Sequence, residues 1–330
     1  CIRDSKAGVE MRFDHGVRSF AELDGYDLIV AADGLNSLVR RGFEAEFGAS
    51  VSHSTNKFAW YGTSKRFETL SQTFVQTGLG AFNAHHYRYA PDMSTFLVEC
   101  DSATWQRYGF ADKTIEQSQA ICEQVFASTL DGHRLVSNKS VWRNFPWIWN
   151  VRWSFGNMVL IGDALHSAHF SIGSGTRLAI EDAIALARAI TGHDDLAAAL
   201  EAYQPERRIE VLKIQNAARN STEWFENVKR YTAMEAEQFT YSLLTRSQRI
   251  SHENLRLRDK AYLERYEQWV GEHAFGQAGL AMPVLSRTIP PMLTPFKVRG
   301  ALLKNRIVVS PMAQSSAADG VPGHYHLEHL

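Results

Sequence analysis

NMVLIGDALHSAHFSIGSGTRLAIEDAIALARAI, residues 157–190, reads as a strand, a Gly-Asp turn, a glycine-rich loop and a long amphipathic helix. Met158–Ile161 is a short apolar run, the length of a strand buried on both faces. Gly162-Asp163 places a small residue and a carboxylate at the strand's carboxyl end, where open α/β sheets bind ligands. Ile172-Gly173-Ser174-Gly175-Thr176 leads into a helix with an apolar stripe at Ile180, Ala183, Ile184, Ala187 and Ile190. Glu181 and Asp182 fall early in that helix and Arg188 late, as the macrodipole prefers, with Gly192 as C-cap.

The turn and the loop make two chemical offers. Asp163 accepts a hydrogen bond from a sugar-like hydroxyl, and the unpaired amides at Gly175 and Thr176 present partial positive charge. Together they suit a flavin, with a ribityl hydroxyl on the carboxylate and the electron-rich ring edge at the helix N-terminus. A plain strand-turn-helix with glycines for tight packing fits the same letters. Asp163, His166 and His169 also stand three apart, but no regular helix brings them onto one face, so a metal is not expected and His166 is expected to cap or pack the loop.

Working outward, 330 residues with 45% apolar content allow about two domains with real cores. Thirty-five basic against 36 acidic residues leave the chain near neutral, without the basic stripe of a nucleic-acid binder. No apolar run reaches membrane-span length and no signal peptide opens the chain. Three unpatterned cysteines fit a reducing cytoplasm. The abrupt start at Cys1, without Met, reads as a truncation.

Val9–Phe13 alternates like a half-exposed strand, turned by Asp14-His15-Gly16. Leu28–Ala32 is a buried strand, followed by Asp33-Gly34 and a helix from Leu38 capped by Asn36 or Ser37. The run Tyr26–Arg40, YDLIVAADGLNSLVR, resembles the "DG" motif of the flavoprotein aromatic hydroxylases, and Gly162–His166, GDALH, resembles their "GD" motif, in the expected order. The resemblance implies an α/β, Rossmann-like FAD-binding fold with an inserted mixed-sheet substrate domain. It implies FAD contacts from Asp163, Gly162, Gly173, Ser174, Gly175 and Thr176, with Asp33, Ser37 and Arg40 near the cofactor. The family's opening G-x-G-x-x-G is absent, consistent with truncation.

Between the motifs, Lys57–Thr63, Thr73–Thr77, Ala81–Tyr89 and Ser94–Cys100 read as strands and Ile115–Leu130 as a helix, within a substrate domain over 51–155. His85, His86 and Tyr87 are candidates to face its pocket. Trp142, Phe145, Pro146, Trp147 and Trp149 could line that pocket, although core packing is the commoner use of such residues. The family's FAD domain is expected over 1–50 and 156–192, with a helical region over 193–282. There, Leu196–Tyr203, Glu206–Ala218, Thr222–Ala233 and Phe239–Leu244 carry helical spacing. Arg207, Arg208 and Lys213 are candidates for a basic CoA contact.

The loop His169–Arg177, HFSIGSGTR, lacks the proline usual before the glycines and resembles a subgroup acting on CoA thioesters of aromatic acids, with relatives acting on indoles. From Pro283 the chain becomes a proline-punctuated linker. Residues 293–312 then resemble the opening hairpin and first strand of the FMN-binding TIM barrel in old-yellow-enzyme-type reductases, with Pro311, Met312 and Ala313 against FMN. The expectation is therefore a hydroxylase joined to a flavin reductase. NAD(P)H reduces FAD, O2 gives a flavin C4a-hydroperoxide, and that species hydroxylates an aromatic acyl-CoA of the salicylyl-CoA or 2-aminobenzoyl-CoA type. Such chemistry needs positioning and exclusion of water rather than a protein base, so no catalytic residue is named. The oligomeric state is left open, a homodimer among the options, and the isolated piece is expected to be inactive. An FAD oxidoreductase of another class, a hydroxylase of a non-CoA substrate, and a fragment that binds no flavin remain open.

Overall fold

The computed structural model describes residues 6–310 and 317–329, and divides them into one unit up to Ile250 and a second from Ser251. Pro311, Met312 and Ala313, expected against FMN, lie outside the described residues.

The first unit is built on two sheets. β1 (Ile29–Ala31) leads to the short helices α1 (Leu38–Gly42) and α2 (Glu44–Phe47), and the chain then enters β2 (Ala49–Thr63). β3 (Ser71–Thr77), β4 (Gly80–Ala90) and β5 (Met93–Cys100) follow as a meander. After α3 (Ser102–Arg107), α4 (Ile115–Val125) and α5 (Ala127–Leu130) come β6 (Leu135–Ser137) and β7 (Arg143–Asn150). The larger sheet has the order β3-β4-β5-β2-β6, with β7 on the early half of β2. β8 (Ser154–Phe155) and β9 (Met158–Leu160) return the chain beside β1, which pairs in parallel with β9, Ile29 opposite Met158. That pairing places the Asp33-Gly34 and Gly162-Asp163 turns at the same carboxyl edge.

The β-strands expected at 57–63, 73–77, 81–89 and 94–100 all form, each of them longer. β7 was not foreseen, because Pro146 sits in its middle. Proline is tolerated there because β7 is an edge strand, and Pro146 faces His53 beside the point where the β2–β7 register shifts. Asn144 Nδ2 spans that irregularity by donating to the carbonyls of Ser54, Thr55 and Asn56. The expected strand at Val9–Phe13 is absent; Val9 and Phe13 are exposed, and an unpaired alternating segment has no ladder to join.

Two long helices back the small sheet: α6 (Gly175–Gly192) and α7 (Leu196–Glu226). Here the sequence expectation fails in an informative way. Ile180 and Ile184, placed on the core face, are 56% and 46% exposed; the buried face is Leu178, Asp182, Ala185, Leu186 and Ala189. Glu181 and Asp182 stand beyond the first turn, which holds no acidic residue. The helix is turned so that Asp182 points inward. Its Oδ2 accepts from the Gly162 amide at 3.0 Å and lies 2.8 Å from His166 Nε2, while Oδ1 accepts from Arg207 Nε at 3.1 Å. Arg207 also donates to Glu181 at 3.0 Å.

α7 runs unbroken through Pro205, where two helices were expected. The lost backbone bond and ring clash are outweighed by contacts on either side. Gln204 donates to Val151 O and accepts from the Trp153 amide, Tyr203 is fully buried, and Arg207 reaches Asp182. α8 (Val228–Tyr231) and α9 (Ala236–Thr245) complete the unit.

In the second unit, α10 (His252–Arg258) and α11 (Lys260–Ala278) are joined by buried Glu267, which accepts from Arg256 at 2.6 Å and from Thr288. The hairpin expected near the carboxyl end forms as β10 (Phe296–Val298) and β11 (Ala301–Leu303), and α12 (His324–His329) follows. Among the described residues no strand follows the hairpin where the first barrel strand was expected. Ile307, Val308 and Val309 are exposed, and no strand among the described residues pairs with them. No helix among the described residues is long and apolar enough to cross a membrane.

Replacing Asp182 with Ala leaves the buried Gly162 amide without its acceptor and Arg207 with only the half-buried Glu181 as partner. Loss of one partner from such a cluster costs about 3–5 kcal/mol. Urea unfolding of the Asp182→Ala protein is expected to show that loss; a change below about 1 kcal/mol contradicts the clasp.

Candidate flavin and aromatic-ligand site

A cavity of about 600 Å³ opens between the glycine loop and one face of the large sheet. Asp163, Gly173, Ser174, Gly175 and Thr176 line one side, with Leu35 from the first motif at the edge. Phe58, Trp60, Tyr87, Phe145 and Phe170 line the other. The sheet is two-faced by strand alternation: Ala59 and Tyr61 turn into the core with Phe82, Ala84 and Phe96, leaving Phe58 and Trp60 for the cavity.

The donor side is open for a ligand. Ser174 is the N-cap of α6 and makes no side-chain cap; its hydroxyl donates to Ile172 O. The first helical bond runs from Leu178 N to Ser174 O, so the amides of Gly175 and Thr176 lack intrahelical acceptors. A Cβ added at Gly173 or Gly175 meets nothing within 4 Å, and Gly173 has φ +60°, which glycine adopts without strain. Asp163 forms no hydrogen bond or ion pair among the described residues. Crowding on the cavity wall raises its pKa above the ordinary carboxylate value, against an opposing pull from His166. A free carboxylate beside unpaired amides is the donor and acceptor set that a flavin's ribityl chain and ring edge require.

The remaining motif residues each make a bond that shapes the two turns. Gly162 spends its amide on Asp182 and has φ +57°, and a Cβ there would meet Ala179 at 3.0 Å. Asp33 accepts from Leu38 N at 2.6 Å, and Ser37 caps α1 by accepting from Arg40 N. Arg40 is buried and donates to Ala164 O at 2.8 Å and to Leu35 O, riveting the two motifs together. Asp33, Ser37 and Arg40 thus brace the two motifs beside the cavity without lining it. His166 turns to Asp182 and His169 accepts from Ser171 N at 3.3 Å, so the two imidazoles serve different partners.

Of the strand residues thought to face the pocket, Tyr87 does. His86 points to the opposite side, its ring stacked on Phe96 and its Nε2 2.9 Å from Thr73 Oγ1. His85 lies one layer behind, edge-on to Phe170 and 3.6 Å from buried Glu99. Burial alone would raise the Glu99 carboxyl; His85, His169 and Asn56 together hold it below its ordinary value. Arg246 braces the loop from behind by donating to Ser171 O at 2.9 Å. Of the basic candidates on α7, Arg207 is committed to Asp182, Arg208 stacks over Trp149 and Lys213 pairs with exposed Glu210; none of the three lines the cavity. Phe58, Trp60 and Phe170, with Lys139 and Arg143 at the rim, were missed; the alternation of Phe58 and Trp60 along β2 was the available signal.

With the geometry in place, comparison with known proteins is decisive at the level of family. The FAD binding domain family matches residues 25–218. The chain belongs to that family. It is 39% identical over 312 residues to the salicyloyl-CoA 5-hydroxylase of Streptomyces sp, covering 91% of this chain and 57% of that protein. It is 41% identical over 245 residues to the 3-hydroxy-4-methyl-anthranilyl-(aryl-carrier protein) 5-monooxygenase of Streptosporangium sibiricum, covering 74% and 65%. The protodeoxyviolaceinate monooxygenase of Chromobacterium violaceum is 37% identical over 239 residues, covering 71% and 64%. The chain therefore spans between 57% and 65% of these relatives. Among solved structures, the probable FAD-dependent monooxygenase pqsL of Pseudomonas aeruginosa aligns with a TM-score of 0.48 at 23% identity, over 62% of this chain and 58% of that one.

Burial of His169 holds its pKa down at about 4, from an ordinary 6.5. The unfolded chain therefore takes up a proton near pH 6.5 that the folded chain refuses until about 4. Stability from this group is full above pH 6.5 and is lost as pH falls toward 4. At pH 5 the loss is about 2 kcal/mol. A His169→Gln protein is expected to show a shallower fall in unfolding free energy between pH 6.5 and 5; an unchanged slope contradicts the assignment.

Proposed function

We propose that this chain is the FAD-binding and substrate-binding part of a monooxygenase that hydroxylates the ring of an aromatic acyl-CoA. The observation that carries the reading is one cavity whose opposite walls are a flavin-type donor set and a cluster of aromatic rings. Asp163 would hold the ribityl chain, and the Gly175 and Thr176 amides would face the ring edge that gains charge on reduction. Bound FAD, reduced by NAD(P)H, supplies activation of O2. The chain's own task is to hold a flat substrate against the aromatic wall of Phe58, Trp60 and Phe170 and to keep water away from the reacting carbon. An ortho amino or hydroxyl group on the substrate would supply electron density to that ring.

The thioester part of the proposal is supported by the names of two relatives, one acting on salicyloyl-CoA and one on an aryl group held by a carrier protein. We propose further that the parent polypeptide continues into an FMN-dependent reductase, for which the β10–β11 hairpin is the supporting feature.

Product analysis under 18O2 tests the reading. The parent protein, supplied with FAD, NADH and 2-aminobenzoyl-CoA or salicylyl-CoA, is expected to yield a ring-hydroxylated thioester bearing one labelled oxygen. NADH oxidation giving only hydrogen peroxide with every aromatic thioester offered would contradict it.

A further inference from the structure

Two cations stand at the rim of the aromatic cavity without acidic partners. Lys139 and Arg143 lie on and just after the loop joining β6 to β7, both exposed and both lining the cavity. Neither side chain forms a hydrogen bond or ion pair among the described residues. What sets these two apart is position: they line the aromatic cavity, whereas Arg207 and Lys213 are paired elsewhere and Lys65 holds Asp131 at 2.8 Å.

The loop that carries Lys139 is fixed. Ser140 is buried and donates to Trp60 O, its amide donates to Ser137 Oγ at 3.2 Å, and Val141 N donates to Lys139 O at 2.8 Å. Lys139 has φ +54°, a left-handed conformation that glycine adopts freely and lysine adopts at a cost. A turn selected for geometry alone would place glycine or asparagine there. With nothing beside it to pair with, the lysine in this fixed turn leaves its charge available at the cavity's edge.

Charge and apolar surface are also separated in the cavity. Phe58, Phe145 and Phe170 form its wall, whereas the cations are at the solvent edge. A free aromatic acid carries its carboxylate directly on the ring. A thioester carries its anionic group at the far end of a flexible arm, which can leave the ring in the apolar part and reach the rim.

We infer that Lys139 and Arg143 form an anion subsite that binds the phosphate end of a phosphopantetheinyl thioester and so selects carrier-linked aromatic substrates over free acids. This rests on the hydroxylase reading above and assigns the recognition of its substrate's arm. The same phosphate chemistry occurs in CoA and in a carrier-bound phosphopantetheine, and the probes below separate them.

Affinities of the FAD-loaded parent protein are measured for benzoyl-CoA, S-benzoyl-phosphopantetheine, S-benzoyl-N-acetylcysteamine and benzoate. The third keeps the thioester and lacks phosphate. Tighter binding of the two phosphate-bearing probes is expected, and loss of that advantage in a Lys139→Gly, Arg143→Ala protein, by about tenfold for each charge removed. Equal binding of both phosphate probes assigns the subsite to the shared pantetheine phosphate; an advantage for benzoyl-CoA alone assigns it to the nucleotide phosphates. Lys139→Gly relieves the strained backbone, so its thermal midpoint is expected not to fall, which separates loss of charge from loss of fold.

If the double variant binds benzoyl-CoA as the unaltered protein does, or if it loses NADH affinity instead, the inference is overturned while the hydroxylase reading stands. If the unaltered protein hydroxylates free acids and not their thioesters, the acyl-CoA reading itself fails.

Discussion

The structure depends on one buried carboxylate. Asp182 is wholly inaccessible and sits where the strand end at Gly162, the loop imidazole of His166 and the long helix α7 through Arg207 converge. Burying a charge is costly unless it is paired and hydrogen-bonded. Here burial would raise the carboxyl, and its partners, His166 foremost, instead hold it below its ordinary value. Meeting that requirement fixes the rotation of α6, and the rotation of α6 fixes where its first amides point. The donor side of the cavity is thus set from behind, by a residue two turns along the helix from the ligand's edge.

A second constraint joins the two motifs across the sheet. Arg40, buried after β1, donates to the carbonyl of Ala164 just past β9, and Asn150 donates to the carbonyl of Leu165. Together with the parallel pairing of Ile29 and Met158 these bonds hold the turns side by side. Asp163 is the carboxylate left over after this bracing, and it faces open cavity.

Much of this was legible in the letters. Two strands, each ending in a glycine–aspartate pair and separated by a strand-rich insert, specify adjacency at a sheet's carboxyl edge, and the alternating strands of the insert specify a two-faced sheet. What was not legible has a common cause. Apolar spacing placed Ile180 and Ile184 inside because hydrophobic counting has no means of recognising a buried aspartate whose partners lie 16 to 25 positions away. Pro205 signalled a helix break because propensity is local, whereas the contacts of Tyr203 and Arg207 are tertiary. β7 was hidden by Pro146 for the same reason. The bracing bonds of Asp33, Ser37 and Arg40 were not legible either, because motif resemblance ranks residues by pattern and does not show which backbone groups they reach.

The most direct test of this account is the affinity of the protein for FAD when the leftover carboxylate is neutralised. In an Asp163→Asn protein, the account predicts that FAD binds at least about tenfold more weakly while the thermal midpoint without FAD is unchanged, since Asp163 supports no other residue. FAD affinity equal to that of the unaltered protein would contradict the placement of the flavin at this turn.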